Sequence, residues 1–301
     1  MAKERMAPPL ALSKRLRRLR MGLATLLGVP QGYFIPYRYA AAAENAISSY
    51  PEVEAHFAAR EAQFAAWLGR ADELANDLRA IGEDAQPPEP RWGQSWFPRL
   101  DAAMAYVFVR SLAPRRIVEV GSGHSTRFCI RALRDGGLEA EVAAIDPAPR
   151  ADISRLPLTL HRCPLQEAPA GIFDELAAGD LVMIDSSHIL MPGTDLDVFL
   201  GRLLPRLPAG VYLHFHDVFL PDPYPEIWAW RGYNEQQALL PLLFSGGWVP
   251  EFASHYVQTR MRRALDDNVI GSLPCWRESY ESSLWLRKQG ADEASRETEL
   301  S

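Results

Sequence analysis

The most informative stretch of the sequence is Glu119-Val120-Gly121-Ser122-Gly123-His124-Ser125-Thr126. It follows a short apolar run and comes directly before a helical pattern that extends to about Leu133. Glycines at such a turn let the backbone pass close to a ligand, and the N-terminus of the helix offers free N–H groups. Asp146 ends the next apolar run, where nucleotide-binding sheets place an acid for the ribose hydroxyls. The stretch therefore predicts a nucleoside-binding turn after the first strand of a sheet.

The apolar pattern around this stretch indicates an α/β domain over residues 91–289. From residue 114 onward, short apolar runs alternate with helical stretches, and the runs are 116–120, 141–145, 158–161, 181–184 and 211–215. Strands that alternate with helices form a parallel sheet covered on both faces. Two further runs, 251–257 and 283–286, predict two more strands. Residues 290–301 are polar and are expected to form a tail.

Residues 1–90 predict a helical N-terminal region. Leucines recur every three or four residues over 12–26, and a second apolar stripe covers 53–81. We expect both stripes to be buried, against each other, against the main domain or in a homodimer. The first 20 residues also carry seven basic side chains against Glu4. A second interpretation is therefore peripheral contact of residues 12–28 with an anionic membrane surface.

The composition narrows the class of protein. The 301 residues include 32 basic and 38 acidic side chains, a net charge of −6, and 48% are apolar, as in a globular chain with a full core. The acidic body argues against nucleic acid as a partner. No apolar run approaches the roughly 18 residues of a membrane span, so no transmembrane helix is predicted. Cys129, Cys163 and Cys275 lie far apart, which favours a reducing compartment and a cytoplasmic location.

The same turn also bears on which nucleoside binds. A dinucleotide fingerprint needs a third glycine where this chain has Thr126. Glu119, two positions before the first glycine, suits a ligand with a positive end, and S-adenosylmethionine carries an ammonium and a sulfonium without phosphate. The pattern favours this cofactor. An NAD-dependent oxidoreductase and a non-catalytic nucleotide-binding protein are the alternatives from other classes.

Three motifs carry a resemblance to a known family. They are the turn 119–126, Ile184-Asp185-Ser186-Ser187-His188, and the His-x-His-Asp stretch 214–217. In these motifs the chain resembles the Rossmann-type (class I) S-adenosylmethionine-dependent methyltransferases, in particular a bacterial group. The resemblance implies a seven-stranded sheet whose last strand is antiparallel. It also implies a cofactor site formed by Glu119, Gly121, Ser122, Gly123, Ser125, Thr126, Asp146 and Pro147, with Gln166 near the adenine.

Acidic and imidazole side chains follow two strands of the predicted sheet. Asp185 ends the fourth strand, and His216 and Asp217 end the fifth, one strand–helix–strand unit later. Ligands bind at the carboxyl ends of parallel strands, so these side chains should converge with His188 beside the transferable methyl group. One interpretation makes His188 or His216 the base for an acceptor hydroxyl. Another has Asp185, His216 and Asp217 bind a divalent metal, and a third gives the motifs a purely structural role.

Aromatic and amide side chains are candidates for the acceptor pocket. Trp92, Trp96, Tyr233 and Asn234 are predicted to line a site for a small molecule or a glycan, with packing as the alternative role. His214 is expected to be a buried, hydrogen-bonded residue that points to the face opposite His216.

Overall fold

The computed structural model describes residues 12–44, 48–277 and 279–290. The chain divides into two compact units, Met1–Ser49 with Pro223–Gly232, and Tyr50–Asp222 with Tyr233–Ser301. The sequence predicted a boundary near residue 90, whereas the second unit already begins at Tyr50. The predicted polar tail, 290–301, lies outside the described residues except for Gly290.

The first unit contains helices α1 (Leu12–Leu26) and α2 (Ala40–Glu44), and a 3-10 turn over Glu226–Arg231. No residue of α1 is buried, and its five leucines are each more than half exposed. The first unit therefore does not cover this stripe, and its expected burial against another surface stays a prediction. Within the described residues, every helix is too short or too polar to cross a membrane.

The helices of the second unit begin with three that carry the second apolar stripe, α3 (Pro51–Ala58), α4 (Glu61–Glu73) and α5 (Ala75–Arg79). The others are α6 (Arg99–Leu112), α7 (His124–Gly136), α8 (Asp195–Val198), α9 (Glu235–Leu243), α10 (Ser254–Arg260) and α11 (Arg262–Asp266). A π turn with a 3-10 turn extends α8 to Arg206, and further 3-10 turns cover Leu165–Glu167, Ala170–Phe173 and Val269–Ser272.

The stripe of residues 53–81 packs on the main domain. Its buried side chains include Phe57, Phe64 and Trp67. The ring of Phe108 in α6 stacks between the rings of Trp67 and Trp285, with centroid distances of 3.9 Å and 4.0 Å. This confirms the main domain, among the expected alternatives, as the surface that buries the second stripe.

Seven strands form one mixed sheet in the second unit. They are β1 (Arg116–Val120), β2 (Glu141–Ile145), β3 (Thr159–His161), β4 (Leu181–Ile184), β5 (Tyr212–Phe215), β6 (Trp248–Ala253) and β7 (Leu284–Lys288). Their order is β3-β2-β1-β4-β5-β7-β6, and β7 runs antiparallel to both of its neighbours. The predicted α/β sheet with its antiparallel last strand is confirmed.

The sixth strand ends earlier than the apolar run 251–257 predicted. Ala253 pairs with Leu284, the first residue of β7. The Ser254 N–H donates to the Ser283 carbonyl at 2.8 Å, and from Ser254 the chain forms α10. The centre of the sheet contains a topological switch point. β1 and β4 pair there, and the chain continues from β1 to β2 on one side and from β4 to β5 on the other. Such a switch point opens a crevice at the carboxyl ends of the strands.

Candidate active site

Gly121 brings the turn after β1 into contact with the end of β4. Its φ is +81°, and a Cβ built there would lie 1.8 Å from the carbonyl oxygen of Asp185. The backbone therefore requires glycine at this position, primarily to let the two strand ends meet. The contact also places the turn beside the residues that follow β4.

Glu119 lies under this turn and fixes its shape. Its carboxylate accepts hydrogen bonds from the hydroxyls of Ser125 and Thr126, and the Thr126 oxygen accepts the N–H of Gly123 at 2.9 Å. Burial raises the pKa of Glu119 to about 7. The three side chains are buried and bond one another, so their direct contact with a cofactor stays a prediction.

Asp146 joins the turns that follow β1 and β2. Its Oδ2 accepts the N–H of Ser122 at 2.7 Å and the Ser122 hydroxyl at 2.9 Å, and its Oδ1 accepts the N–H of Ala148 at 2.7 Å. Pro147 follows on the surface. Gln166 is exposed and donates its amide to the carbonyl of Gly193 at 2.9 Å. Asp146 thus has the position at the strand end that the ribose interpretation needs.

His188 is held between carboxylates on both ring nitrogens. Its Nδ1 lies 2.7 Å from Oε2 of Glu235, while its Nε2 lies 3.3 Å from Oδ1 of Asp185 and 3.5 Å from Oδ2 of Asp217. The backbone of both His188 and Asp217 has φ +58°, a left-handed conformation that residues other than glycine seldom adopt. Such outliers concentrate at functional sites.

His216 has the same arrangement. Its Nδ1 lies 3.5 Å from Oδ1 of Asp185 and 3.5 Å from Oδ1 of Asp217, and its Nε2 lies 3.3 Å from Oδ2 of Asp101. Asp101 is fully buried and accepts the N–H groups of two consecutive residues, Ser282 at 2.8 Å and Ser283 at 2.9 Å. The strand-end cluster therefore consists of Asp101, Asp185, His188, His216, Asp217 and Glu235.

The charges of the strand-end cluster shift its titration. Burial alone would lower the pKa of both imidazoles. Asp185 and Glu235 instead raise the pKa of His188 well above its usual value. Asp185 and Asp217 do the same for the pKa of His216. Burial works against ionisation of Asp185 too, yet the two histidines hold its pKa well below the usual range. The central Asp185 is the most open of these groups, with 29% of its side chain exposed.

The sequence predicted four of the six cluster residues and missed Asp101 and Glu235. Both missed residues are fully buried and come from helices α6 and α9, far from the strand ends in sequence. One signal was present for Asp101, because it is the lone acid in the otherwise apolar run Leu100–Val109. A buried acid needs a partner.

The predicted acceptor residues do not lie together. Trp92 is buried in the core against Phe128, which agrees with the packing role and not with a pocket wall. Trp96 is exposed under the guanidinium of Arg150. Tyr233 packs on the ring of His188 with centroids 4.5 Å apart, and Asn234 donates its N–H to the His188 carbonyl at 3.1 Å. Only this last pair borders the strand-end cluster.

His214 is buried as expected, but its predicted direction is wrong. Its ring lies nearly parallel to that of His216 with centroids 6.2 Å apart, because residues two apart in a strand share a face. Its Nε2 is 2.8 Å from the Ser283 hydroxyl, and burial lowers its pKa to about 3. His214 is thus a neutral packing residue behind the strand-end cluster.

The sheet order, the glycine turn at its switch point and the acid after β2 define a Rossmann-like nucleoside-binding domain. Residues 118–218, from within β1 to just past Asp217, match the family model described as a methyltransferase domain. The match and the sheet order identify this part of the chain as a Rossmann-type methyltransferase domain.

Several solved structures resemble the chain at low identity. A methyltransferase from Podospora anserina bound to S-adenosylhomocysteine is 15% identical, covering 86% of this chain and 100% of that chain, with a TM-score of 0.39. An O-methyltransferase of tomaymycin synthesis from Streptomyces achromogenes is 15% identical, covering 74% and 90%, with a TM-score of 0.37. One from Bacillus cereus is 14% identical, covering 75% and 91%, with a TM-score of 0.37. No curated protein matches the chain.

Proposed function

We propose that this enzyme methylates a hydroxyl oxygen of a small-molecule or glycan acceptor at the strand-end cluster. The observation that carries the proposal is the contact between the Gly121 turn and the Asp185 backbone, which puts the cofactor turn and the acid–imidazole groups on one wall. Bound S-adenosylmethionine supplies an electrophilic methyl carbon. The acceptor oxygen bonds to that carbon as the carbon–sulfur bond breaks, and the electron pair stays on sulfur. The hydroxyl proton must then go to a base.

The cofactor site is proposed at Gly121, Ser122, Gly123 and Asp146, with Pro147 and Gln166 beside the adenine ring of the cofactor. A carboxylate oxygen has two lone pairs, and Oδ1 of Asp146 uses one of them for the N–H of Ala148. The other suits a ribose hydroxyl. Thr126 stands where a dinucleotide fingerprint needs glycine and is bonded to Glu119, which disfavours NAD.

Calorimetry tests the cofactor site. We expect S-adenosylhomocysteine to bind the wild type in the micromolar range and NAD to show no heat. Asp146→Ala should weaken binding about 5- to 150-fold, since an uncompensated ribose hydrogen bond is worth about 1 to 3 kcal/mol. Asp152→Ala, which removes an exposed acid from the same loop, is the matched control and should bind as the wild type does. NAD binding without S-adenosylhomocysteine binding would refute the proposal.

Histidine is the first candidate for the base. The acceptor hydroxyl would reach the strand-end cluster at Asp185, its most exposed member, and both His188 Nε2 and His216 Nδ1 lie within 3.5 Å of Asp185 Oδ1. The proton would pass to one of these imidazoles in its neutral form. Because the carboxylates raise the pKa of both rings, this form is a strong base, and its population and the turnover should increase with pH. Glu235 and Asp101, on the far nitrogens, would orient the two rings and stabilise the positive charge that develops.

A divalent cation is the second candidate, because one ligand atom each from Asp185, His216 and Asp217 lies within 4.8 Å of the others. His216 also presents Nδ1 to this group and Nε2 to buried Asp101, as metal-binding histidines do with a carboxylate behind the ring. The residues fit an ion that accepts imidazole, such as zinc or iron, better than magnesium. Bound there, such an ion would lower the pKa of the acceptor hydroxyl.

Metal analysis and two variants separate the candidates. Protein purified without a polyhistidine tag would be analysed by mass spectrometry of its metals, and turnover would be measured with and without a chelator. A histidine base predicts chelator-resistant turnover and a loss of about 10²–10⁴-fold in His188→Ala or in His216→Ala, with cofactor binding intact. The cation predicts one ion per chain that is lost in Asp217→Ala. Full turnover in Asp185→Ala would contradict both.

The proposed cellular setting is the cytoplasm. All three cysteines are free in the structure, which supports a reducing compartment. We propose no nucleic-acid partner, because the body of the chain is acidic.

A further inference from the structure

The leucines of α1 form one continuous exposed stripe. Leu12, Leu16, Leu19, Leu23 and Leu26 are each 52–73% exposed. At 100° per residue their side chains fall within a sector of about 80° on the helix surface. An exposed apolar stripe of this regularity marks a site that binds another protein surface or a membrane.

The rest of α1 is strongly basic. Lys14, Arg15, Arg17, Arg18 and Arg20 occupy the remaining faces, and Arg15 and Arg20 lie on the two sides of the leucine stripe. The sequence contains no acid between residues 5 and 43. A surface that covers this helix must therefore be apolar in its interior and anionic at its border.

A contact within the first unit fixes the direction of the stripe. The ammonium group of Lys14 lies 5.4 Å from the ring centroid of Trp230. Lys14 is on the polar side of α1, opposite the leucines. The helix thus turns its cationic side to the 3-10 turn of its own unit and its leucines outward, which reverses the orientation of a helix that packs on its own core.

The segment that follows α1 also exposes apolar and aromatic side chains. Large apolar and aromatic side chains between residues 27 and 39 that are more than half exposed are Leu27, Val29, Tyr33, Phe34, Ile35, Tyr37 and Tyr39. Tyrosine is enriched where a bilayer meets water, because its ring is apolar and its hydroxyl is polar. The apolar surface is therefore the whole segment 12–39 and not the helix alone.

We propose that residues 12–39 bind an anionic membrane surface, with α1 lying in the plane of the interface. The leucines enter the headgroup boundary and the flanking arginines pair with lipid phosphates. A second copy of α1 against the same stripe would bring the cations of the two helices together, whereas an anionic lipid leaflet complements them. This inference is independent of the proposed methyl transfer.

Vesicle flotation with the full-length protein tests the proposal. The probes are vesicles of phosphatidylcholine alone and of phosphatidylcholine with phosphatidylglycerol. We expect binding to the anionic vesicles only, and weakening as salt rises. Arg15→Gln/Arg20→Gln should lower the affinity about 25-fold, about fivefold per cation. The matched control Arg262→Gln/Arg263→Gln removes the same charge from two exposed side chains of α11 and should bind like the wild type.

A second variant removes the stripe itself. Leu16→Glu/Leu19→Glu/Leu23→Glu should abolish flotation, while its melting temperature stays that of the wild type because the three side chains are exposed. Equal binding to both kinds of vesicle, or no binding, would overturn the proposal. A concentration-dependent dimer in light scattering that this variant dissociates, without vesicle binding by the wild type, would identify a second copy as the occupant and would also overturn it.

Discussion

At the scale of single residues, Glu119 shows how burial changes a role assigned from charge. The sequence presents an acid two positions before a glycine turn, and the charge of a carboxylate suggests a partner for a cationic ligand. In the structure the side chain is buried under the turn, where the hydroxyls of Ser125 and Thr126 bond it. Desolvation of a carboxylate disfavours its charged form. Glu119 therefore stabilises the turn most when it carries a proton.

Glu119 makes the stability of the folded chain decrease as pH rises. The pKa of Glu119 is about 7 in the folded chain, against an ordinary value of 4.5. The folded state holds the proton more tightly, so its contribution to stability is full below pH 4.5 and is lost as pH rises to about 7. From pH 5 to pH 8 this group should reduce the free energy of unfolding by about 2 to 3 kcal/mol.

Glu119→Gln, which mimics the protonated acid, isolates that contribution. Urea unfolding of the variant should lose correspondingly less stability between pH 5 and pH 8, so the variant should equal the wild type near pH 5 and exceed it at pH 8. Parallel pH profiles for the two proteins would show that Glu119 is ionised in the folded chain at neutral pH.

At the scale of elements, the strand ends were predictable and the helical groups behind them were not. Asp185, His188, His216 and Asp217 each follow a strand of a parallel sheet, and the carboxyl ends of such strands meet at one edge. Asp101 and Glu235 reach the same place from α6 and α9, through packing that no local pattern encodes. The end of β6 at Ala253 likewise depends on where its partner β7 begins.

At the scale of the whole molecule, the two apolar stripes of the N-terminal third have opposite fates. From sequence both predict amphipathic helices, since periodicity shows that a face is apolar and not what covers it. The stripe of residues 53–81 enters the core of the second unit, and the leucines of α1 stay exposed. The unit boundary at Ser49 lies between them.

This division predicts that stability depends on one stripe alone. Removal of residues 1–39 should leave the melting temperature and S-adenosylhomocysteine binding of the chain unchanged, because α1 contains no buried side chain.

Trp67→Ala should instead lower the free energy of unfolding by about 3 to 5 kcal/mol, since it empties the site beside Phe108 and leaves a cavity. Its indole N–H also donates to Glu251 at 3.1 Å, and that buried acceptor would lose a partner. Differential scanning calorimetry of both variants measures the contrast. A truncated chain that melts well below the wild type would show that the first unit packs in solution and that its leucines are buried there.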